Sequence, residues 1–133
     1  MAAIETERKK PVFAHGGHMY RFDRRSADDG KFWRCLVDGC NDRIKTDAND
    51  VFIEFRNTSH THQPDPDGVT VNGVVTTMRR RAEREATSIG DIYGQETAAL
   101  ASHPSTAAVM PSFVEVSAKV FVCMMYYFMP EPL

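Results

Sequence analysis

The sequence predicts an α+β chain, a small antiparallel sheet followed by a helical region, and three observations predict it. Between Pro11 and His62 short apolar runs alternate with turn signals, among them Gly16-Gly17, Asp29-Gly30 and Asp38-Gly39, the pattern of consecutive hairpins. The stretch QPDPDG (63–68) then breaks the regularity, since two prolines and a glycine in six residues suit neither helix nor strand. Beyond it apolar residues recur at spacings of three and four, the period of a helix.

Residues 1–10 (MAAIETERKK) show no apolar periodicity and are expected to form a disordered, solvated tail. Strands are expected at VFAH (12–15), HMYRFDRR (18–25), KFWRCLV (31–37), DRIKT (42–46) and VFIEFR (51–56), joined as a meander. Asp and Gly at the intervening turns tolerate the positive φ that mirror-image hairpin turns require. Residues 65–68 are read as a linker and 69–129 as a helical region. Its first helix carries Val71, Val74, Val75, Met78 and Ala82 on one side, leaving Arg79, Arg80, Arg81 and Arg84 to the outer faces. Ser88 is placed to cap a second helix containing Ile89, Ile92, Tyr93, Ala99 and Leu100. Phe113, Val116, Val120, Phe121, Met124, Tyr127 and Phe128 define a third face, ended by Pro130 and Pro132. The apolar run VFVCMMYYFM (120–129) makes only about 15 Å of helix, about half of a bilayer core, so a buried or interface helix is expected and no membrane span.

The formal charge is −2, with 11 Lys/Arg against 10 Asp/Glu in residues 1–62 and 5 against 8 in residues 63–133. Neither part is a basic block, so any contact with nucleic acid must come from local patches. The N-terminus turns polar at once and does not read as a secretory signal, which points to a reducing compartment. Three cysteines there are too few and too odd for a disulfide framework.

Two of those cysteines, Cys35 and Cys40, flank a link containing Asp38-Gly39, a tight turn that can bring both thiols to a common centre. His60 and His62 close the sheet region in SHTH, and in extended chain residues i and i+2 point the same way. The ordered pattern is Cys-x4-Cys-x19-His-x1-His, and two thiolates with two imidazoles are the natural tetrahedral set for zinc. Four protein ligands leave no open position for water, so one structural Zn2+ is expected rather than a hydrolytic one. A module of this size also seldom buries enough apolar surface without a staple. The competing readings are a pair of buried thiols with surface histidines, and a redox pair, for which the spacing is two residues too long.

Nothing else in the chain suggests an enzyme. The carboxylates show no recognisable pairing, there is no phosphate-cradling glycine loop or nucleophile elbow, and His15, His18 and His103 stand isolated as structural or surface residues. Trp33 shares a strand face with Cys35 and is expected to pack beneath the metal site.

The order Phe13, Tyr20-Arg21-Phe22, Trp33-Arg34-Cys35, Cys40, Arg43 and His60-Thr61-His62 resembles the FLYWCH-type zinc finger over about residues 11–64. By analogy the topology is similar to the WRKY and GCM zinc modules. The resemblance implies a zinc-stapled antiparallel sheet, and in the WRKY and GCM groups such a sheet lays a strand in the DNA major groove. The following segment, VVTTMRRRAEREATSIGDIYGQE and then TAAVMPSF, is similar to the region between a FLYWCH finger and the catalytic domain of Mutator-like transposase-derived proteins. The chain departs from that pattern after about Phe113, where a catalytic domain is absent, so the helical region reads as truncated and no catalytic activity carries over.

DNA contact is expected from Arg21, Arg24, Arg25, Lys31 and Arg34 on the strand before Trp33 and on the hairpin joining them, with Arg43 and Lys45 behind them. Arginine can bind phosphate or grip guanine with two hydrogen bonds. The function expected is therefore zinc-dependent DNA binding in the nucleus. The alternative is a zinc-stabilised protein-interaction module, or a dimerisation adaptor associating through its C-terminal helices.

Overall fold

The computed structural model describes residues 4–6, 10–57 and 60–128, with side chains described as far as Phe121. The expectations for residues 1–3, 7–9 and 129, and for the side chains of Met124, Tyr127 and Phe128, lie outside these residues.

An antiparallel sheet comes first, with strands β1 (Ile4–Glu5), β2 (Pro11–His15), β3 (His18–Arg25), β4 (Lys31–Cys35), β5 (Arg43–Thr46) and β6 (Phe52–Asn57). Each strand pairs with the next in sequence, so the sheet is the expected meander. The turns supply what the sequence promised: Gly16, Gly17, Asp29, Gly39 and Asp50 all have positive φ. Gly17 also lies so close to the linker that a Cβ there would sit 2.9 Å from Pro64 Cβ, and its carbonyl accepts the Asp65 N–H at 2.8 Å.

Register divides the side chains between two faces, because directly opposed residues share a face. Phe13 faces Tyr20, Tyr20 faces Cys35, Phe22 faces Trp33 and Trp33 faces Ile44. That face carries the sheet core of Tyr20, Trp33, Cys35, Cys40 and Ile44, flanked by Phe13 and Phe52. Trp33 lies 5.6 Å from the Phe13 ring and edge-on to Phe22, and its indole N–H donates to the buried Thr46 Oγ1 at 2.9 Å, so the indole is buried without an orphaned donor.

Helices follow: α1 (Pro66–Arg84), α2 (Ile89–Ala98), α3 (Pro104–Ala108) and α4 (Phe113–Phe128). The linker reading 65–68 gives way to an earlier helix start. Asp65 is the N-cap, its carboxylate accepting the Gly68 N–H at 3.0 Å, and Pro66 occupies the first turn, where a missing N–H costs nothing. Ser88 caps α2 as expected, accepting the Asp91 N–H at 3.2 Å. Val71, Val75, Met78, Ile92, Val116 and Val120 form the helical core. Phe121 points away from it and is 63% exposed, while Phe113 sits at its margin, edge-on to Tyr93.

Two further expectations are corrected where the halves meet. Ile4–Glu5, read as part of a disordered tail, pairs with Val12 and Pro11, and Ile4 is buried. Arg79, assigned to an outer face, is buried as well. Its guanidinium donates at 2.6 Å to each of the Glu5 and Thr6 carbonyls, Thr76 Oγ1 accepts the Glu5 N–H at 3.2 Å, and Arg80 pairs with the Glu5 carboxylate. The polar composition of the N-terminal segment hid a strand held by hydrogen bonds to a helix. Arg81 is engaged too, with Glu85 and Glu96, so Arg79, Arg80 and Arg81 of the MRRRAER run all bind the protein itself.

Candidate metal centre

Cys35 ends β4 and Cys40 follows a turn in which Gly39 takes φ 81° and the Cys40 N–H reaches the Val37 carbonyl at 3.1 Å. A second tie, from the Cys35 N–H to the Asp42 carbonyl at 3.0 Å, closes the loop on itself. Both thiols are thereby buried on the core face beside Trp33. His60 and His62 lie in the irregular segment 60–65. The chain is bent there rather than extended, yet both rings reach the same point.

The four ligand atoms lie within 4.8 Å of one another. Cys35 Sγ is 3.2 Å from His62 Nε2, and Cys40 Sγ is 3.4 Å from His60 Nδ1. A tetrahedral zinc ion with ordinary bond lengths separates its ligands by about 3.3–3.8 Å, so the cluster is of the right size and chemistry to hold one zinc ion. No other group of potential ligands this compact occurs among the described residues.

The electrostatics favour thiolate at one position. Burial pushes the Cys40 thiol up, but the Asp42 and Thr61 amides and the His60 and Cys35 side chains outweigh it and bring its pKa down to about 6. At Cys35 burial dominates and pushes the thiol up, against a single amide from Val37. A metal ion supplies the positive charge that the second thiolate needs.

Around the ligands sits a shell that sequence reasoning missed. Tyr20 Oη is 3.0 Å from His60 Nε2, and Asp42 Oδ2 is 3.1 Å from the same nitrogen. Asp42 is wholly buried, and neither of its carboxylate oxygens has a partner in hydrogen-bond geometry; the His60 contact is close without being well aimed. Burial pushes the Asp42 carboxyl up, opposed by the His60, His18 and His62 rings, and burial likewise raises the Tyr20 hydroxyl. His18 is not isolated: its ring stacks on His60 at 3.6 Å between centroids. His15 stacks on Phe52 at 4.1 Å. Nothing in a lone histidine directly after a glycine pair signalled that placement, whereas Asp42, two positions past Cys40, could have been suspected from its closeness to a ligand.

The residues expected to touch DNA fall on two faces. Arg21 faces Arg34, and the opposite face of β4 carries Lys31, Trp33 and Cys35. A bulge between Phe22 and Arg24 shifts the register so that Arg24 faces Phe32 and joins the Arg21 side, while Arg25 faces Lys31 and joins the core side. Arg43 and Lys45 face Arg34 and Phe32 and share the open face. Arg24, Lys45 and Arg56 all lie within 5.7 Å of the Phe32 ring centroid. Carboxylates hold Arg43 (Asp23), Lys45 (Asp28) and Arg56 (Glu54), and Lys31 is held by Asp50 at 2.8 Å on the other face. Arg21, Arg24 and Arg34 make no ion pair with another described residue.

Residues 3–62 match the family model of the FLYWCH zinc finger domain. No curated protein and no solved structure matches the chain. The matched segment contains all four ligands and begins ahead of the expected boundary, at the strand that the sequence reading had left in the tail. No helix among the described residues is long and apolar enough to cross a membrane.

Proposed function

We propose that this zinc finger chain is a zinc-dependent DNA-binding module without catalytic activity, reading duplex DNA with the open face of its sheet. The observation that carries the reading is the grouping of Arg21, Arg24 and Arg34 on that face with no carboxylate among the described residues to give up first. Neutralising phosphate with an unpaired arginine costs less than stripping one from an ion pair, and phosphate contacts supply most non-specific affinity. Arg43 and Lys45 reinforce the field from beside them, while Arg25 and Lys31, at the tip of the β3–β4 hairpin, are the peripheral members of the set. A nuclear location and descent from a transposase belong to the same proposal and rest on the sequence resemblance.

The test is fluorescence anisotropy of a labelled mixed-sequence duplex titrated with the whole chain, at two salt concentrations, with and without a zinc chelator. Affinity that falls with salt and vanishes on chelation supports the reading. Salt-sensitive binding that survives chelation means attraction by an unfolded chain and sinks it.

A second reading, a protein-interaction or dimerisation module, is favoured by α4. Val114 is 74% and Phe121 63% exposed, seven residues and so about two turns apart on one side of the helix. A zinc-loaded chain that ignores DNA but changes mass with concentration in sedimentation would move the assignment there.

A further inference from the structure

We infer that Asp42 is a positioning residue for the metal centre, and that with Tyr20 it fixes the His60 ring so that Nδ1 is the atom offered to zinc. The inference rests on zinc being held by Cys35, Cys40, His60 and His62.

The two histidines present opposite nitrogens to the cluster. His62 turns Nε2 inward, and its Nδ1 lies 3.2 Å from the Gln63 carbonyl. His60 turns Nδ1 inward and leaves Nε2 facing Asp42 Oδ2 and Tyr20 Oη at 3.1 and 3.0 Å. A free imidazole carries its proton on either nitrogen. Once Nδ1 coordinates a metal the proton must sit on Nε2, where Tyr20 Oη is the hydrogen-bond partner and the Asp42 carboxylate lies close by without being well aimed.

The state of Asp42 argues in the same direction. A wholly buried carboxylate with no hydrogen-bond donor is expensive to keep. The nearest ring nitrogen is His60 Nε2, and zinc on Nδ1 is what guarantees a proton there and makes the ring a stronger acid. Metal binding thus completes the environment of Asp42, and Asp42 in turn penalises both the wrong tautomer and a ring flip. His18, stacked flat on His60, blocks the ring from swinging out on that side.

The whole chain, stripped of zinc and reloaded, provides two readouts for the wild type and for Asp42→Ala, Asp42→Asn and Tyr20→Phe. One is zinc affinity by competition with a chromophoric chelator; the other is the long-range ¹⁵N–¹H spectrum of His60, which shows which nitrogen bears the proton and how fast it exchanges. The wild type is expected to show a slowly exchanging Nε2 proton. In Asp42→Ala affinity should fall roughly ten- to hundred-fold and that proton should exchange rapidly. Asp42→Asn, which keeps an acceptor oxygen without the charge, should recover part of both, and Tyr20→Phe should lose less than Asp42→Ala. Affinity within twofold of wild type in Asp42→Ala overturns the proposal, as does a loss of affinity with the His60 proton unchanged, which would mark a packing role only. If Asp42→Ala does not take up the zinc-loaded fold, Asp42→Asn and Tyr20→Phe decide by the same two readouts. A wild-type chain that binds no zinc removes the centre itself, an outcome distinct from failure of Asp42.

Discussion

In the sheet half, two of the five core residues are cysteines that double as candidate metal ligands, whereas the helical half buries Val71, Val75, Met78, Ile92, Val116 and Val120. One core is built to close around an ion and the other by apolar burial alone. The difference teaches where each half is vulnerable: the sheet to whatever removes or protonates its ligands, the helices to whatever opens a cavity. Between them lies a joint of hydrogen bonds, from Thr76 and Arg79 to the backbone of β1.

Chelation should have the largest effect, because the apparent contribution of a structural zinc site is ~10–16 kcal/mol at neutral pH. The chain's single tryptophan is Trp33, in the sheet core, so its fluorescence reports that half alone. On chelation its emission should move to that of a solvated indole while the helical circular dichroism persists. Loss of both signals together would break the contrast and show one cooperative unit.

Met78→Ala should come next, at about 2–5 kcal/mol for a wholly buried side chain. Its loss should appear in the helical melting transition and leave the Trp33 signal of the zinc-loaded protein in place. Arg79→Ala should then cost about 1–3 kcal/mol, since two carbonyls lose a charged donor. Hydrogen exchange at Ile4 and Glu5 should accelerate more than exchange in β4 or β5, and equal acceleration everywhere would mean that the joint stabilises the whole sheet.

The two arginine groups give a sharper contrast. Arg34→Ala should reduce the salt slope of DNA binding by about one with little change in melting temperature. Arg81→Ala, which removes contacts to Glu85, Glu96 and Gln95, should do the reverse; a salt slope that drops with Arg81 would place DNA on the helices instead.

The smallest effect concerns Asp28. The Lys45 ammonium, then Ser26 and the Gly30 N–H, hold its carboxyl below the usual carboxylate range. A lowered folded pKa means the stabilisation is complete above the unfolded value near 3.8 and is lost as pH falls through the lower folded value. Asp28→Asn should therefore lower stability slightly above about pH 4 and flatten the acid limb, so that the two profiles converge as pH falls. An unchanged acid limb would show that this exposed pair contributes nothing.

What was legible in the sequence followed from short-range rules. Hairpin turns announce themselves through Gly and Asp, amphipathic helices through their period, and the ligand set through its residue types and spacing; those marked the four-residue cluster and the meander. The position of Asp42, two past Cys40, hinted at a place near the ligands, but its burial against the His60 ring was not legible, because an aspartate after a turn reads as solvated unless the partner brought to it by the fold is known. Nor was the face shared by Arg21 and Arg24, since a spacing of three puts residues on opposite faces of a regular strand and the intervening bulge reverses this. Arg79 escaped for a related reason. Its helical position looked outward, and the strand that buries it consists of two residues in a polar stretch.

The latch formed by β1 has a consequence for how the sheet module could be borrowed. A unit cut at Pro11, where the strong sheet pattern begins, would expose the N–H and C=O groups of β2 as a raw edge, an invitation to pair with another copy. A unit cut at Gln63 would keep the four zinc ligands and lose Thr76 and Arg79, the clasp that holds that edge strand down. The portable piece therefore overlaps the neighbour at which its sequence pattern stops, and a transplant into another protein would need to carry the first four turns of α1 with it.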